Sequence, residues 1–187
     1  MILPRDRSVL VVVDIQERLI PTIVDGDRLV AQASRLIRAA ELLDVPVIVT
    51  EQYPKGLGPT DPRIVGACTT FRPIEKASFS ACGEPSFIAA IRSTDANHVV
   101  IVGIETHVCI AQTALDLVGR GYTVHIALDA IGAGNDVGGH AGRARMAAAG
   151  VIATTFEASV FDWMADARHP RFKEVQELVK SARKERA

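Results

Sequence analysis

The stretch HVVIVGIETHVCIAQTAL (residues 98–115) passes from a β-branched run into a segment with helical spacing. Its first seven residues, 98–104, are almost continuously apolar, which is typical of a strand buried on both faces of a parallel sheet. Apolar residues then recur at spacings of three and four along residues 107–119. A strand followed directly by a helix is the repeating unit of α/β proteins, so this stretch predicts that fold class.

The same alternation continues along the chain. Further β-branched runs occupy residues 8–14, 45–50, 122–128 and 150–156, and helix-like segments occupy residues 27–44, 85–94, 139–149 and 170–185. Strand alternating with helix five times predicts an α/β three-layer sandwich with a doubly wound, mostly parallel sheet. The length of 187 residues suits one domain, which we assign to residues 1–187.

Two segments depart from this rhythm. Residues 51–84 are rich in proline and glycine, and predict an extended loop with little regular structure. Residues 132–139, GAGNDVGG, predict a flexible loop over the mouth of a crevice. Their glycines are one residue off the dinucleotide-binding fingerprint and follow a late strand, so a nucleotide-binding function is a weaker alternative.

Composition narrows the function classes. The formal net charge of −1 gives no electrostatic reason to expect a nucleic acid or an anionic membrane as partner. No apolar run reaches the roughly 18 residues that span a bilayer. Three cysteines without a C-x-x-C pair argue against a disulfide framework and a structural zinc site. We therefore expect a cytoplasmic protein that binds neither nucleic acid nor membrane.

The ends of the predicted strands locate a candidate site. In open α/β sheets ligands bind beyond the carboxyl ends of the strands, where the strand order reverses. If the strands at 8–14 and 98–104 are neighbours there, Asp14 and Cys109 face one crevice. A thiol in the first turn of a helix is favoured as thiolate, and a carboxylate in an apolar crevice can take its proton. Packing of the cysteine and helix capping by the aspartate are the alternatives.

A lysine in the irregular loop completes a possible constellation. Lys76 lies between Glu75 and the aromatic Phe79. Its charge could hold Asp14 and a Cys109 thiolate in ionised form. On its own a loop lysine is more often a solvated surface charge. The evidence for a site is therefore the combination of Asp14, Lys76 and Cys109 and not any one of these residues.

Three segments, VLVVVDIQ (9–16), EKASFSA (75–81) and GIETHVCIAQTAL (103–115), resemble in order and spacing the catalytic blocks of the isochorismatase-like cysteine hydrolase superfamily. That superfamily includes nicotinamidases and N-carbamoylsarcosine amidohydrolase, and the resemblance extends from about residue 6 to residue 160. It implies a six-stranded parallel sheet, a catalytic triad of Asp14, Lys76 and Cys109, and a cis peptide bond between Ile104 and Glu105. TEQYPKGLGPT (50–60) and DARHPRFK (166–173) look most like the isochorismatase-domain-containing subgroup.

The sequence also departs from some members of that superfamily. Nicotinamidases bind a divalent metal through histidines after the second strand, whereas this chain has no histidine between residues 1 and 97. We therefore expect no metal and no cofactor. Isochorismatases that cleave a vinyl ether often lack the cysteine, which this chain keeps as Cys109.

Together these observations predict a cysteine hydrolase that cleaves a small amide or another C–N bond through a covalent acyl-enzyme. Backbone N–H groups of Glu105 and Cys109 would hold the oxyanion. Candidates for lining the substrate pocket, by position only, are Gln16, Gln52, Tyr53 and Phe79. The resemblance also implies a homo-oligomer. The alternatives are an isochorismatase-type ether hydrolase, a catalytically idle oligomeric scaffold, and a redox sensor in which Cys68 or Cys82 resolves Cys109.

Overall fold

A computed structural model describes residues 2–184 of the chain. They contain six parallel strands in one sheet, ordered β3-β2-β1-β4-β5-β6. The order reverses between β1 and β4, which confirms the doubly wound α/β prediction and the six parallel strands that the resemblance implies. The strands are β1 Ser8–Val13, β2 Val47–Gln52, β3 Ile74–Lys76, β4 His98–Ile104, β5 Thr123–Gly132 and β6 Ile152–Thr154. The ends of the predicted domain, residues 1 and 185–187, lie outside the described residues.

Helices cover both faces of the sheet. One face is packed by α1, α7 and α8, and the other by α4, α5 and α6. No helix in residues 2–184 combines the length and the apolar character needed to cross a bilayer. The helices are α1 Gly26–Leu42, α2 Pro54–Leu57, α3 Pro62–Val65, α4 Pro85–Arg92, α5 Ala111–Gly119, α6 Asp136–Ala148, α7 Phe156–Met164 and α8 Phe172–Lys184.

The core explains why the central strands are continuously apolar. In β1, Leu10 and Val12 pack toward α1 and α7, whereas Val9, Val11 and Val13 pack toward α4 and α5. All five side chains are fully buried. Alternate residues of a strand point to opposite faces, so a strand covered on both faces needs apolar residues at every position.

Glycine at position 103 lets the two central strands approach each other at the switch point. Gly103 pairs with Val13 and has a φ of 124°. A Cβ atom there would lie 2.0 Å from the Val13 carbonyl oxygen, closer than any side chain tolerates. The adjacency of β1 and β4 that the sequence left conditional is therefore present, and Asp14 follows β1 directly.

The prediction of an extended loop over residues 51–84 is wrong in part. This segment contains the two short helices α2 and α3 and the edge strand β3, in which Lys76 pairs with Gln52 of β2. A three-residue strand preceded by Pro73 is too short to show a hydrophobic period, which is why the sequence gives no signal for it.

Residues 132–139 are also not a flexible loop. Strand β5 continues to Gly132 through a bulge, because Ile101 pairs with Ile126 while Gly103 pairs with Ile131. After a short turn α6 begins at Asp136, and the Asn135 side chain caps it by accepting the Gly138 N–H at 2.7 Å. The bulge and the cap depend on tertiary pairing that a local pattern does not reveal.

Candidate active site

A buried ion pair lies at the carboxyl ends of β1 and β3. The Lys76 Nζ lies 2.7 Å from Asp14 Oδ2, and both side chains are almost completely excluded from solvent. The Thr50 hydroxyl donates to Asp14 Oδ1 at 2.7 Å. Lys76 is thus not the solvated loop lysine that the sequence alone favoured. It is the last residue of an edge strand and points at the switch point of the sheet.

Three further acceptors fix the Lys76 ammonium. Its Nζ lies 2.6 Å from Gln52 Oε1 and donates to the carbonyl oxygens of Ser78, at 3.2 Å, and Phe79, at 3.1 Å. An ammonium has three protons, so these three acceptors occupy its whole donor capacity. Asp14 Oδ2, which accepts no hydrogen bond within residues 2–184, faces the ammonium as its charged partner. The charge of Lys76 is therefore held in place and directed at Asp14.

Cys109 joins this pair from the third element of the site. It lies in a π-helical turn, Thr106–Ile110, that connects β4 to α5, and it is 7% exposed. The charges of Asp14 and Lys76 both act on the pKa of its thiol, so the thiol lies beside the ion pair. The structure therefore brings together the three residues that the resemblance names as a triad.

The electrostatic state of Cys109 differs from the sequence-based expectation. Burial and, after it, the Asp14 carboxylate raise the pKa of the thiol to about 12, while Lys76 acts in the opposite direction. The expectation that the helix end favours a resting thiolate is therefore wrong. The reason is that an ionised Cys109 would be a second negative charge beside Asp14 in a buried site.

The same arrangement allows the proton to move without a change of net charge. If the thiol proton passes to Asp14, one anion is exchanged for another beside the fixed Lys76 ammonium. A raised pKa describes loss of the proton to solvent, whereas transfer to a neighbouring base keeps the site neutral overall. The geometry can thus produce a thiolate at the moment of reaction from a thiol at rest.

Two of the four residues predicted to line the substrate pocket, Gln16 and Gln52, use their side-chain amides for hydrogen bonds within the protein. Gln16 is fully buried, its Nε2 donates to the carbonyl oxygens of Gln52 and Gly58, and its Oε1 accepts the Gln52 N–H at 2.7 Å. Gln52 holds Lys76 through Oε1 and donates from Nε2 to the Ala77 carbonyl oxygen at 2.8 Å. These amides position the residues after β2 and β3 around the ion pair.

The two aromatic candidates lie at the surface beside Lys76. Tyr53 is 59% exposed and its backbone N–H donates to the Lys76 carbonyl oxygen at 2.9 Å. Phe79 is 54% exposed, and its carbonyl oxygen accepts from Lys76 Nζ. The backbones of both residues therefore border the ion pair while most of each ring remains accessible.

Glu105 begins the turn that contains Cys109. The Ile104–Glu105 peptide bond is cis, as the resemblance implies. The Glu105 carbonyl oxygen accepts the N–H groups of Val108 and Ile110, at 3.0 and 3.2 Å, and these bonds form the π-helical turn. The backbone N–H groups of Glu105 and Cys109 are thus on the segment next to the thiol.

Sequence reasoning missed Thr50 and Gly103. Thr50 orients Asp14 from the neighbouring strand, and Gly103 provides the close approach of β4 to β1. The available signal for Thr50 was a polar residue near the end of the β2 run. The signal for Gly103 was a glycine inside an otherwise β-branched run.

Comparison with known proteins assigns the chain to a family. The isochorismatase domain family model matches residues 8–158, which contain all three residues of the buried cluster. The chain belongs to the isochorismatase family. The predicted resemblance is therefore confirmed, and the fold is that of the isochorismatase-like hydrolases.

Relatives over the full domain support this assignment to the isochorismatase family. Isochorismatase domain-containing protein 2A of Mus musculus is 39% identical over 180 residues, which cover 96% of this chain and 85% of the relative. Isochorismatase domain-containing protein 2 of Danio rerio is 40% identical, with 92% and 86% covered. The solved structure of the MAR1 ribonuclease from Caenorhabditis elegans superposes with a TM-score of 0.91 at 38% identity and covers 96% of this chain and 93% of that one.

Proposed function

We propose that this member of the isochorismatase family is a cysteine hydrolase that cleaves a small amide or another C–N bond through an acyl-enzyme on Cys109. The observation that supports the proposal is the place of the Cys109 thiol beside the buried Asp14–Lys76 pair, where both charges act on its pKa. A nucleophile beside a base, with the base oriented by further groups, is the general arrangement for covalent catalysis.

In the first half-reaction Asp14 accepts the thiol proton while Cys109 Sγ bonds to the carbonyl carbon of the substrate. The carbonyl π electrons move to the oxygen, and the N–H groups of Glu105 and Cys109 donate to this oxyanion. When the oxyanion collapses, the C–N bond breaks and Asp14 returns the proton to the leaving nitrogen. The product is an amine and a thioester on Cys109.

In the second half-reaction Asp14 takes a proton from a water molecule, whose oxygen attacks the thioester carbonyl. The C–S bond breaks, the acid is released and the proton returns to the Cys109 sulfur. The net reaction consumes one amide and one water and yields one acid and one amine. Lys76 stays protonated throughout and stabilises whichever of Asp14 and Cys109 is negative.

We assign substrate contact to Tyr53 and Phe79, because their rings are exposed next to the ion pair. Gln16 and Gln52 we assign to positioning, since their side-chain amides bond to neighbouring backbone and to Lys76. The proposed substrate is a small molecule with an apolar group that can lie against an aromatic ring.

The test is a panel of small amides, carbamoyl compounds and esters, with a vinyl ether and a short RNA as further arms. The ether represents the alternative hydrolase, and the RNA represents the ribonuclease activity for which the Caenorhabditis elegans protein is named. We expect turnover of amide or carbamoyl compounds that disappears in Cys109→Ala while the circular dichroism spectrum is retained. Unchanged turnover in Cys109→Ala, or turnover of the ether or RNA only, contradicts the proposal.

We also propose that the protein self-associates in the cytoplasm. Exposed apolar side chains support self-association. Val24 and Leu128 line one groove, and Phe161 lines a neighbouring groove that shares Asp129 with the first. The free thiols of all three cysteines fit a reducing compartment. Light scattering should give a mass of two or more chains that decreases in Val24→Ser/Phe161→Ser; a monomeric wild type contradicts self-association.

A further inference from the structure

The glycine-rich segment 132–142 has no part in the proposed chemistry, yet it packs against the residues that present Cys109. We refer to residues 106–110 as the nucleophile turn. The Thr106 hydroxyl at the start of this turn donates to the Gly132 carbonyl oxygen at 2.9 Å. The Gly134 N–H donates to Glu105 Oε2 at 3.0 Å. The segment is therefore bonded to Thr106, the first residue of the turn, and to Glu105, which precedes it.

Two glycines of α6 allow the helix backbone to contact the nucleophile turn directly. A Cβ atom on Gly142 would lie 2.8 Å from both the Cα of His107 and the carbonyl oxygen of Thr106. A Cβ atom on Gly138 would lie 2.9 Å from the nearest atom of the His107 ring. Side-chain carbons essentially never approach heavy atoms this closely, so any residue other than glycine must displace the turn or the ring.

His107 is confined between α6 and Glu105. Its ring lies against Gly138, and its Nδ1 is buried and accepts or donates no hydrogen bond within residues 2–184. The nearest charged atom recorded for it is Glu105 Oε2, at 4.0 Å. The ring thus fills the space between α6 and Glu105, the residue that precedes the turn.

We propose that Gly138 and Gly142 are positioning residues for Cys109, and that α6 sets the place of the thiol through the backbone of the nucleophile turn. The inference rests on the proposed function in treating Cys109 as the reactive group. Cys109 must lie in contact with Asp14 and Lys76 at once, and a displacement of about 1 Å is enough to cost a reacting pair its geometry. The contact of Gly142 is with backbone, which cannot rotate away, whereas that of Gly138 is with a side chain that can.

The experiment uses the full chain and measures the rate of Cys109 alkylation by iodoacetamide across pH, read from the labelled peptide by mass spectrometry. We expect Gly142→Ala to slow labelling of Cys109 about tenfold at neutral pH and to change its pH profile. Labelling of Cys68, on the opposite face of the sheet, should not change. Gly119→Ala is the matched control, because a Cβ on that helical glycine meets nothing within 4 Å.

A second pair of variants keeps the test decisive if Gly142→Ala does not fold. Gly138→Ala should slow labelling less, and this effect should disappear when His107→Ala removes the ring that the new Cβ would contact. A folded Gly142→Ala with the wild-type rate and pH profile overturns the inference, and so does a Gly138→Ala effect that is the same with and without His107. Because labelling needs no substrate, an inactive substrate panel would refute the hydrolase and leave this result standing.

Discussion

At the scale of single residues, the stability of the fold and the proposed chemistry depend on the same buried charges. Asp14 and Lys76 are excluded from water and compensate each other at 2.7 Å, with Thr50 and Gln52 satisfying further atoms. A buried charge is tolerated only while its partner and hydrogen bonds are present. The pair is therefore sensitive to the loss of either member.

We expect Lys76→Met to lower the free energy of unfolding by about 3–5 kcal/mol, because it leaves the Asp14 carboxylate buried and uncompensated. Asp14→Asn/Lys76→Met should be destabilised less than the sum of the single variants, since the double variant buries no charge. Urea unfolding measures all three. Lys180→Met, which breaks an exposed pair with Glu177, is the control and should change stability by less than about 1 kcal/mol. Strictly additive losses for the buried pair would contradict the account.

Thr50 offers a finer test of how the base is held. Thr50→Val keeps the shape of the side chain and removes the hydrogen bond to Asp14 Oδ1. We expect kcat on the best panel substrate to fall between about 10- and 100-fold, because the carboxylate loses its orientation, with little change in KM. Thr50→Ser should restore most of the rate, since it keeps the hydroxyl. Equal rates for the valine and serine variants would show that the bond has no catalytic role.

From the sequence, a residue of the site could be predicted only where it follows a recognisable strand or belongs to a recognisable motif. Asp14 and Cys109 follow β-branched runs, and the resemblance supplies Lys76. The roles of Gln16 and Gln52 were not predictable, because their partners come from elements distant in sequence. The direction of the Cys109 pKa shift was missed for the same reason: it depends on burial by the whole fold and on Asp14, which outweigh the local helix end.

At the scale of elements, the site depends on the close approach of β1 and β4. We expect Gly103→Ala to destabilise the protein by about 3 kcal/mol or more, because the new Cβ would overlap the Val13 carbonyl oxygen and the residue has a positive φ. The midpoint of urea unfolding is the measurement, with Gly119→Ala as the unhindered helical control. A Gly103→Ala protein as stable as the wild type would mean that the strands can separate without cost.

Long elements with a clear hydrophobic period were predictable and short ones were not. The pattern at 27–44 gave α1 to within two residues, because its apolar face spans several turns. Strand β3 has three residues and shows no period of its own. Helix α7 has a helical period in Phe156, Val160, Trp163 and Met164, but it begins inside the run 150–156 that the sequence assigns to a strand. The nucleophile turn packs against α6, a helix distant in sequence, and no local pattern encodes this contact.

At the scale of the whole molecule, stability should depend on pH through a buried histidine pair. His98 Nδ1 and His125 Nε2 lie 3.3 Å apart with stacked rings between the amino-terminal halves of β4 and β5. Burial, and then the neighbouring His98, lower the pKa of His125 to about 4, while burial and Arg7 lower the pKa of His98. Asp162 opposes the shift of His125 without outweighing it.

Because the folded pKa of His125 lies below its unfolded value, the unfolded state binds more protons as the pH falls. The stabilisation is complete above the unfolded pKa of about 6.5 and is lost as the pH decreases from there toward about 4. We expect the free energy of unfolding to fall by about 2 kcal/mol between about pH 7.5 and pH 5 through His125. Urea unfolding at both pH values should show a smaller loss in His125→Gln, but the full loss in the exposed His140→Gln. An unchanged loss in His125→Gln would assign the pH dependence to other groups.

The most direct test of the central claim is the mass of the enzyme quenched with acid during turnover of an amide substrate. The account predicts an adduct with the mass of the acyl group, located on the peptide that contains Cys109 and absent from Asp14→Asn, which cannot accept the thiol proton. Turnover without an adduct, or an adduct on Cys68 or Cys82, would contradict it.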